Sequence, residues 1–213
     1  MRPLRCGRSM IDQRKERRND RMILRVQLCY SHAMKVKCPS LIHFDSGLNV
    51  LIGPNGSGKS TILRALYECG QCRIEKKGTS GVRYFNAETM NPHAPNGPPG
   101  DMRNMILGTR GIFSSHGEIM KDALTSLPLP EGDTLLVDEP ESGQDGGSVQ
   151  HIRRGFDAIC RKGGQVIAAT HHPLLLQEAN IIELIPGYAQ ELYKMYCKSV
   201  CSATSGERES ENT

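Results

Sequence analysis

Gly53-Pro54-Asn55-Gly56-Ser57-Gly58-Lys59-Ser60 fits the pattern G-x-x-x-x-G-K-[ST]. Residues of these types in this order suit the grip of a polyphosphate. Glycines let backbone N–H groups turn inward toward phosphate oxygens. A helix opening at the end of the loop, through Ser60 and Thr61, adds roughly half a positive charge at the same place. Lys59 is suited to reach the β- and γ-phosphates, and Ser60 to offer its hydroxyl to Mg²⁺. A second set stands far downstream, where the apolar run Leu135-Leu136-Val137 ends in Asp138-Glu139. A carboxylate at such a strand end can hold Mg²⁺, directly or through water, which is the role assigned to Asp138. Glu139 can then polarise the water that attacks the γ-phosphate. Together the two sets predict a site for a nucleoside triphosphate and Mg²⁺.

These residues need a scaffold, and the flanking sequence supplies one. Leu48-Asn49-Val50-Leu51-Ile52 reads as a buried strand ahead of the glycine loop, and Thr61-Ile62-Leu63-Arg64-Ala65-Leu66-Tyr67 as the helix after it. Upstream, residues 23–30 alternate apolar and polar, and 34–38 and 41–44 are short and strand-like, which predicts an antiparallel β edge. Residues 70–81 are polar and glycine-bearing and read as hairpin or loop. Val82-Arg83-Tyr84-Phe85 reads as another strand, and the proline- and glycine-rich 91–100 as loop. Residues 101–130 read as helical, ended by Pro128 and Pro130. Further on come a strand at 134–137, a helix at 148–162 stopped by Gly163-Gly164, and a strand at 165–170. A short helix near 173–179 and a strand at 180–185 close the domain.

The chain has 213 residues, which suits one α/β domain, and a formal net charge of +4, which alone says little. The alternation of strands and helices predicts a three-layer fold with a mainly parallel central sheet. Residues 22–200 are expected to form this domain, with a short insert at about 87–130. Three readings of the arginine-rich residues 1–21 stand side by side: an arm for an acidic partner, a disordered tail, or an artefact of start assignment with translation beginning at Met22. Residues 201–213 are expected to be a disordered tail. No apolar run approaches the ~18–20 residues that span a bilayer, and no secretory signal is evident, so a cytoplasmic setting is expected. The eight cysteines are scattered and expected to stay reduced. Cys69-Gly70-Gln71-Cys72 is a C-x-x-C, yet a zinc site needs two further ligands, and the thiols are expected to be inert.

Beyond the acid pair, Glu141-Ser142-Gly143-Gln144-Asp145 and, after the next strand, Thr170-His171-His172 complete a series. Asp-Glu-Pro with these two segments resembles the Walker B motif, D-loop and switch histidine of ATP-binding-cassette (ABC) ATPases. Ser114-Ser115-His116-Gly117-Glu118 is similar to their signature loop at Ser115, Gly117 and Glu118, and departs from it at Ser114 and His116. The resemblance spans roughly residues 23–190 and implies a P-loop NTPase fold with a shortened helical insert. It implies ATP as the nucleotide, although local chemistry alone would allow GTP. It implies that His171 contacts the γ-phosphate, while His172 is read as an ordinary loop residue. It implies further that Ser115 and Gly117 act in trans on a second protomer, with Asp145 coupling the sites of a head-to-tail, ATP-dependent homodimer. The stretch from Lys59 to Ser114 is shorter than the helical subdomain of transporter cassettes. It is more similar to compact ATPases related to RecF and SMC proteins. No glutamine follows the 82–85 strand; Asn86 and Glu88 are the alternatives for that role. Tyr30 is positioned to stack on a base but is read as a packed strand tyrosine.

The expected function is Mg²⁺-dependent ATP hydrolysis coupled to a partner. An effector or nuclease in nucleic-acid maintenance or defence is one expectation, with nucleic acid itself a candidate ligand. A membrane transporter subunit is a second. A nucleotide-dependent binding module with negligible turnover is a third.

Overall fold

A computed structural model describes residues 22–78, 81–86, 132–142 and 144–205. The N-terminal arm, the insert at 87–130 and the signature-loop residues Ser115 and Gly117 lie outside the described residues.

Two sheets carry the fold. Strands β3 (Leu48–Ile52), β5 (Val82–Asn86), β6 (Thr134–Asp138), β7 (Gln165–Ala169) and β8 (Asn180–Glu183) form a parallel sheet in the order β5-β6-β7-β3-β8. Every residue of β3, β6 and β7 is buried, as expected of central parallel strands covered on both faces. Their alternate side chains feed two separate cores. Leu51, Leu136, Ile167 and Ala169 pack with Ile62, Leu63 and Leu66 of helix α2 (Lys59–Glu68). Val50, Ile52, Leu135, Val137 and Val166 pack on the other face with Val149, Ile152 and Phe156 of helix α3 (Gly146–Arg161). Each of the buried Val, Leu, Ile and Phe side chains among these contributes about 1.5–3 kcal/mol.

The antiparallel strands form a sheet of their own. β1 (Met22–Gln27) lies between β2 (Leu41–His43) and β4 (Arg73–Lys77). Gln165 at the start of β7 binds this layer to the central sheet. Its Oε1 accepts from Ile23 N–H at 2.9 Å and from the Thr134 hydroxyl at 3.0 Å. Its Nε2 donates to the carbonyls of Ile23 and Asp45, each at 2.9 Å. A buried amide satisfied at every atom fixes the layer's position, because any slip would strand a polar group without water.

Several local readings change. Residues 34–38 are not a strand: the chain turns through a short helix α1 (Tyr30–Ala33) and leads irregularly into β2. Tyr30, expected to pack on a strand, is 82% exposed. Of the two readings of 70–81, hairpin or loop, the segment carries a strand, β4, whose Arg-Ile-Glu-Lys-Lys sequence is anchored in the core by Ile74. The short helix near 173–179 is one 3₁₀ turn, Pro173–Leu175. Helix α3 starts earlier than expected because Asp145 caps it, accepting from Ser148 N–H at 2.7 Å. It ends as expected, with Gly163 at φ 85°. The last helix, α4 (Tyr188–Ser205), runs into the expected tail. No described helix is long and apolar enough to cross a membrane.

Candidate active site

Parallel strands place all their carboxyl ends on one side, where crevice residues gather. β3 ends in the glycine loop, β6 in Asp138 and β7 in Thr170-His171, and β7 lies between the other two.

The glycine loop is braced from outside. Lys37 N–H donates to Ser57 C=O at 3.0 Å. Gly58 has φ 102°, and a Cβ there would lie 2.7 Å from Val36 Cγ1 and 2.9 Å from both the Val36 Cα and the Lys35 carbonyl oxygen. Gly58→Ala therefore strains the backbone and strikes a neighbouring backbone that has no flexible end to move. Stability should fall by about 2 kcal/mol or more, lowering the thermal midpoint by roughly 4–8 °C. An unchanged midpoint in differential scanning calorimetry would contradict this bracing.

Lys59 is nearly buried, at 4% exposure, and its Nζ donates to the Gly53 carbonyl at 2.9 Å and the Pro54 carbonyl at 3.5 Å. Burial pulls its pKa below the usual lysine value, while Glu139, Asp138 and Glu141 push it back up. The Ser57 hydroxyl is buried with no hydrogen-bond partner among the described residues. Among the described residues no side chain caps the first turn of α2, whose leading N–H groups are suited to an anion.

Across the site the Ser60 hydroxyl donates to Asp138 Oδ1 at 3.0 Å. The other carboxylate oxygen accepts from Tyr84 O–H at 3.0 Å and from Asn86 Nδ2 at 3.2 Å. Burial raises the Tyr84 pKa, so the phenol stays a neutral donor. Two oxygens bound side by side to one octahedral Mg²⁺ at ~2.0–2.1 Å lie about 2.9–3.0 Å apart. The Ser60–Asp138 pair has this separation, and both are hard oxygen donors, so the residues present fit the ion.

Glu139 occupies the left-handed region, at φ 47°, although it is not glycine. Its N–H donates to the Ala169 carbonyl at 2.9 Å, which ties the turn to β7. Its carboxylate stands 3.9 Å from His171 Nε2. That nitrogen is buried with no hydrogen-bond partner among the described residues. His171 N–H donates to Glu141 Oε1 at 2.6 Å, and Tyr188 O–H lies 3.3 Å from Nδ1. Burial, then the Lys59 charge, lowers the His171 pKa, so the ring is neutral at pH 7. In the tautomer whose Nδ1 accepts from Tyr188 O–H, Nε2 carries the ring proton and can donate to an anion.

Lys59, Ser60, Asp138, Glu139 and His171 thus lie close together at the carboxyl ends of the central strands. Asn55 and Gly56 lie exposed at the loop's tip, and Thr61 follows Ser60 in the first turn of α2. Asp145 commits its carboxylate to the α3 cap, and His172 likewise caps the 3₁₀ turn, accepting from Leu174 N–H. Asn86, one of the two alternatives for the missing glutamine, bonds Asp138 instead, and Tyr84 and Glu141 are site residues that the sequence did not single out. Residues 84 and 86 share a face of β5, and the register pairs Asn86 with Asp138. Period-2 alternation back from residue 86 is the signal that could have found Tyr84.

The sequence model of the AAA domain matches residues 31–69. The cytochrome c biogenesis ATP-binding export protein CcmA of Paracoccus denitrificans is 30% identical over 168 residues, covering 68% of this chain and 80% of that protein. The chain belongs to the ABC-type ATPases. The DNA replication and repair protein RecF of Vibrio parahaemolyticus is 31% identical over 113 residues, 47% of this cassette but only 32% of RecF. A nucleotide-free ATP-binding cassette from an ABC transporter superposes with a TM-score of 0.52 at 14% identity, covering 76% of this chain and 87% of that one. This last likeness is one of fold.

Proposed function

We propose that the cassette hydrolyses ATP with Mg²⁺ and dimerises on ATP to drive a partner. The observation that carries the reading is the 3.0 Å approach of the Ser60 hydroxyl to Asp138, made by residues 78 positions apart in the chain. Loop N–H groups from Gly53 to Thr61 and the Lys59 ammonium bind the phosphates, exchanging carbonyl partners for charged ones. Ser60 and Asp138 would hold Mg²⁺, with Tyr84 and Asn86 fixing the carboxylate. The ion supplies charge neutralisation at the phosphates when bound. Glu139 takes the proton of the attacking water. His171 donates from Nε2 to the γ-phosphate, with Glu141 holding its backbone N–H and Tyr188 its ring. Ser115 and Gly117 complete the partner protomer's site, and Asp145 couples the two.

The short sequence between the glycine loop and the signature loop supports a stand-alone ATPase, acting with an effector or nuclease on nucleic acid. The likeness to CcmA over most of that protein's length favours a second reading, the energising subunit of an exporter.

Phosphate release separates these readings. Turnover should need Mg²⁺, stop with EDTA, and rise more steeply than linearly with protein concentration as dimers form. Stimulation by DNA that fades steeply with salt supports the first reading. Recovery of an integral-membrane partner by affinity capture, without DNA stimulation, supports the second. No release under any condition would leave a nucleotide-dependent binding module.

A further inference from the structure

Cys29 and His32 lie far from Cys69 and Cys72 in sequence, yet the fold brings them together. Cys29 caps α1, His32 sits on it, Cys69 caps the end of α2, and Cys72 leads into β4. Their four ligand atoms, three sulfurs and a ring nitrogen, all lie within 4.8 Å of one another. Cys29 Sγ is 3.0 Å from His32 Nδ1 and 4.0 Å from Cys69 Sγ, and Cys72 Sγ is 3.7 Å from the same ring nitrogen. Ligands held ~2.0–2.3 Å from a tetrahedral ion are themselves about 3.4–3.8 Å apart. The cluster already has nearly that size.

We propose that this C-x-x-H and C-x-x-C pair is a structural zinc site of the Cys₃His type. Three soft thiolates with one imidazole select Zn²⁺ over the hard cations that suit the nucleotide pocket. Four protein ligands close the coordination shell, so the site binds zinc without leaving a position for substrate. On binding, each thiol gives its proton to solvent. Cys72 is buried and its sulfur also accepts Cys29 N–H at 3.3 Å, a bond that fixes the direction of a ligand. The second partner of the C-x-x-C was invisible in sequence because residues 23–30 read as one strand. In the structure the strand ends at Gln27, and α1 swings Cys29 and His32 inward.

The consequence reaches the glycine loop. Residues 35–37, which brace Ser57 and Gly58, follow α1 directly, and α2 runs from the loop to Cys69. A zinc ion would fasten both arms that hold the loop, at a distance from the nucleotide pocket itself.

The full chain, expressed with zinc and purified without chelator, should carry about one zinc per molecule by plasma mass spectrometry. Replacing zinc with Co²⁺ should give the intense visible bands of a tetrahedral thiolate site and a thiolate charge-transfer band in the near ultraviolet. Cys69→Ser and His32→Ala should each lower zinc affinity at least ~10-fold. Cys197→Ser, on the exposed face of α4, should leave zinc content unchanged. Should the ligand variants fail to fold, the Co²⁺ spectrum of the unaltered chain decides alone. Zinc below about a tenth of an equivalent with no tetrahedral Co²⁺ spectrum, or a Cys29–Cys69 disulfide in freshly purified protein, would overturn the site.

Discussion

Lys59→Ala should abolish measurable ATP binding while the fold survives. The ammonium is buried, its hydrogen-bond partners among the described residues are two backbone carbonyls, and three carboxylates around it favour its charge. A triphosphate offers it a stronger partner than a carbonyl, so bound phosphate gains charge-assisted bonds that alanine cannot make. Truncating one side of a desolvated charge pair costs about 2–5 kcal/mol, or roughly 30- to 5,000-fold in Kd. Lys59→Arg should rescue little, because the planar guanidinium lacks the compact reach of the amine. Titration calorimetry with Mg·ATP reads the effect, and circular dichroism checks that the fold remains. ATP binding within a few-fold of the parent would mean that the glycine loop does not hold the phosphates.

Glu139→Gln should separate binding from turnover. The substitution keeps the side chain's shape and leaves the left-handed turn, with its N–H on the Ala169 carbonyl, undisturbed. It removes the carboxylate's charge and with it the ability to take a proton, while Asp138 and Glu141 still support the Lys59 ammonium. A positioned general base contributes ~10²–10⁴-fold, so hydrolysis should fall by about that factor while ATP affinity holds. An ATP-bound dimer that no longer consumes its ligand should accumulate and elute early in size exclusion. A rate close to the parent's would assign the proton to another group, and a monomer in saturating ATP would argue against completion of the site in trans.

Much of this pocket was legible because its chemistry requires neighbours in sequence. A phosphate cradle is made of consecutive backbone N–H groups, so Gly53 to Ser60 had to appear as one word. Asp138 and Glu139 follow a strand buried on both faces, and such a strand reads as an unbroken apolar run. His171 was legible only through the resemblance of Thr170-His171 to the switch histidine of ABC ATPases. The residues that were not legible act through tertiary register. Alternation places Tyr84 and Asn86 on one face of β5, but that this face meets Asp138 depends on the pairing of β5 with β6, which local sequence does not fix. Glu141 meets His171 N–H across 30 positions of chain. β4 stayed open between hairpin and loop because its composition is mostly charged, with backbone pairing to β1 as its chief support. The thiol cluster escaped for a related reason. Half of it depends on where β1 stops, and strand ends are the least determined part of a periodic pattern.

The most direct test of a single converging pocket is a crystal structure of Glu139→Gln soaked or grown with ATP and Mg²⁺. The γ-phosphate should lie against Lys59 and His171, with one cation held by the Ser60 hydroxyl and, directly or through water, by the Asp138 carboxylate, and with a facing protomer closing the site. Nucleotide bound elsewhere on the chain, or a cation that bridges neither residue, would contradict it.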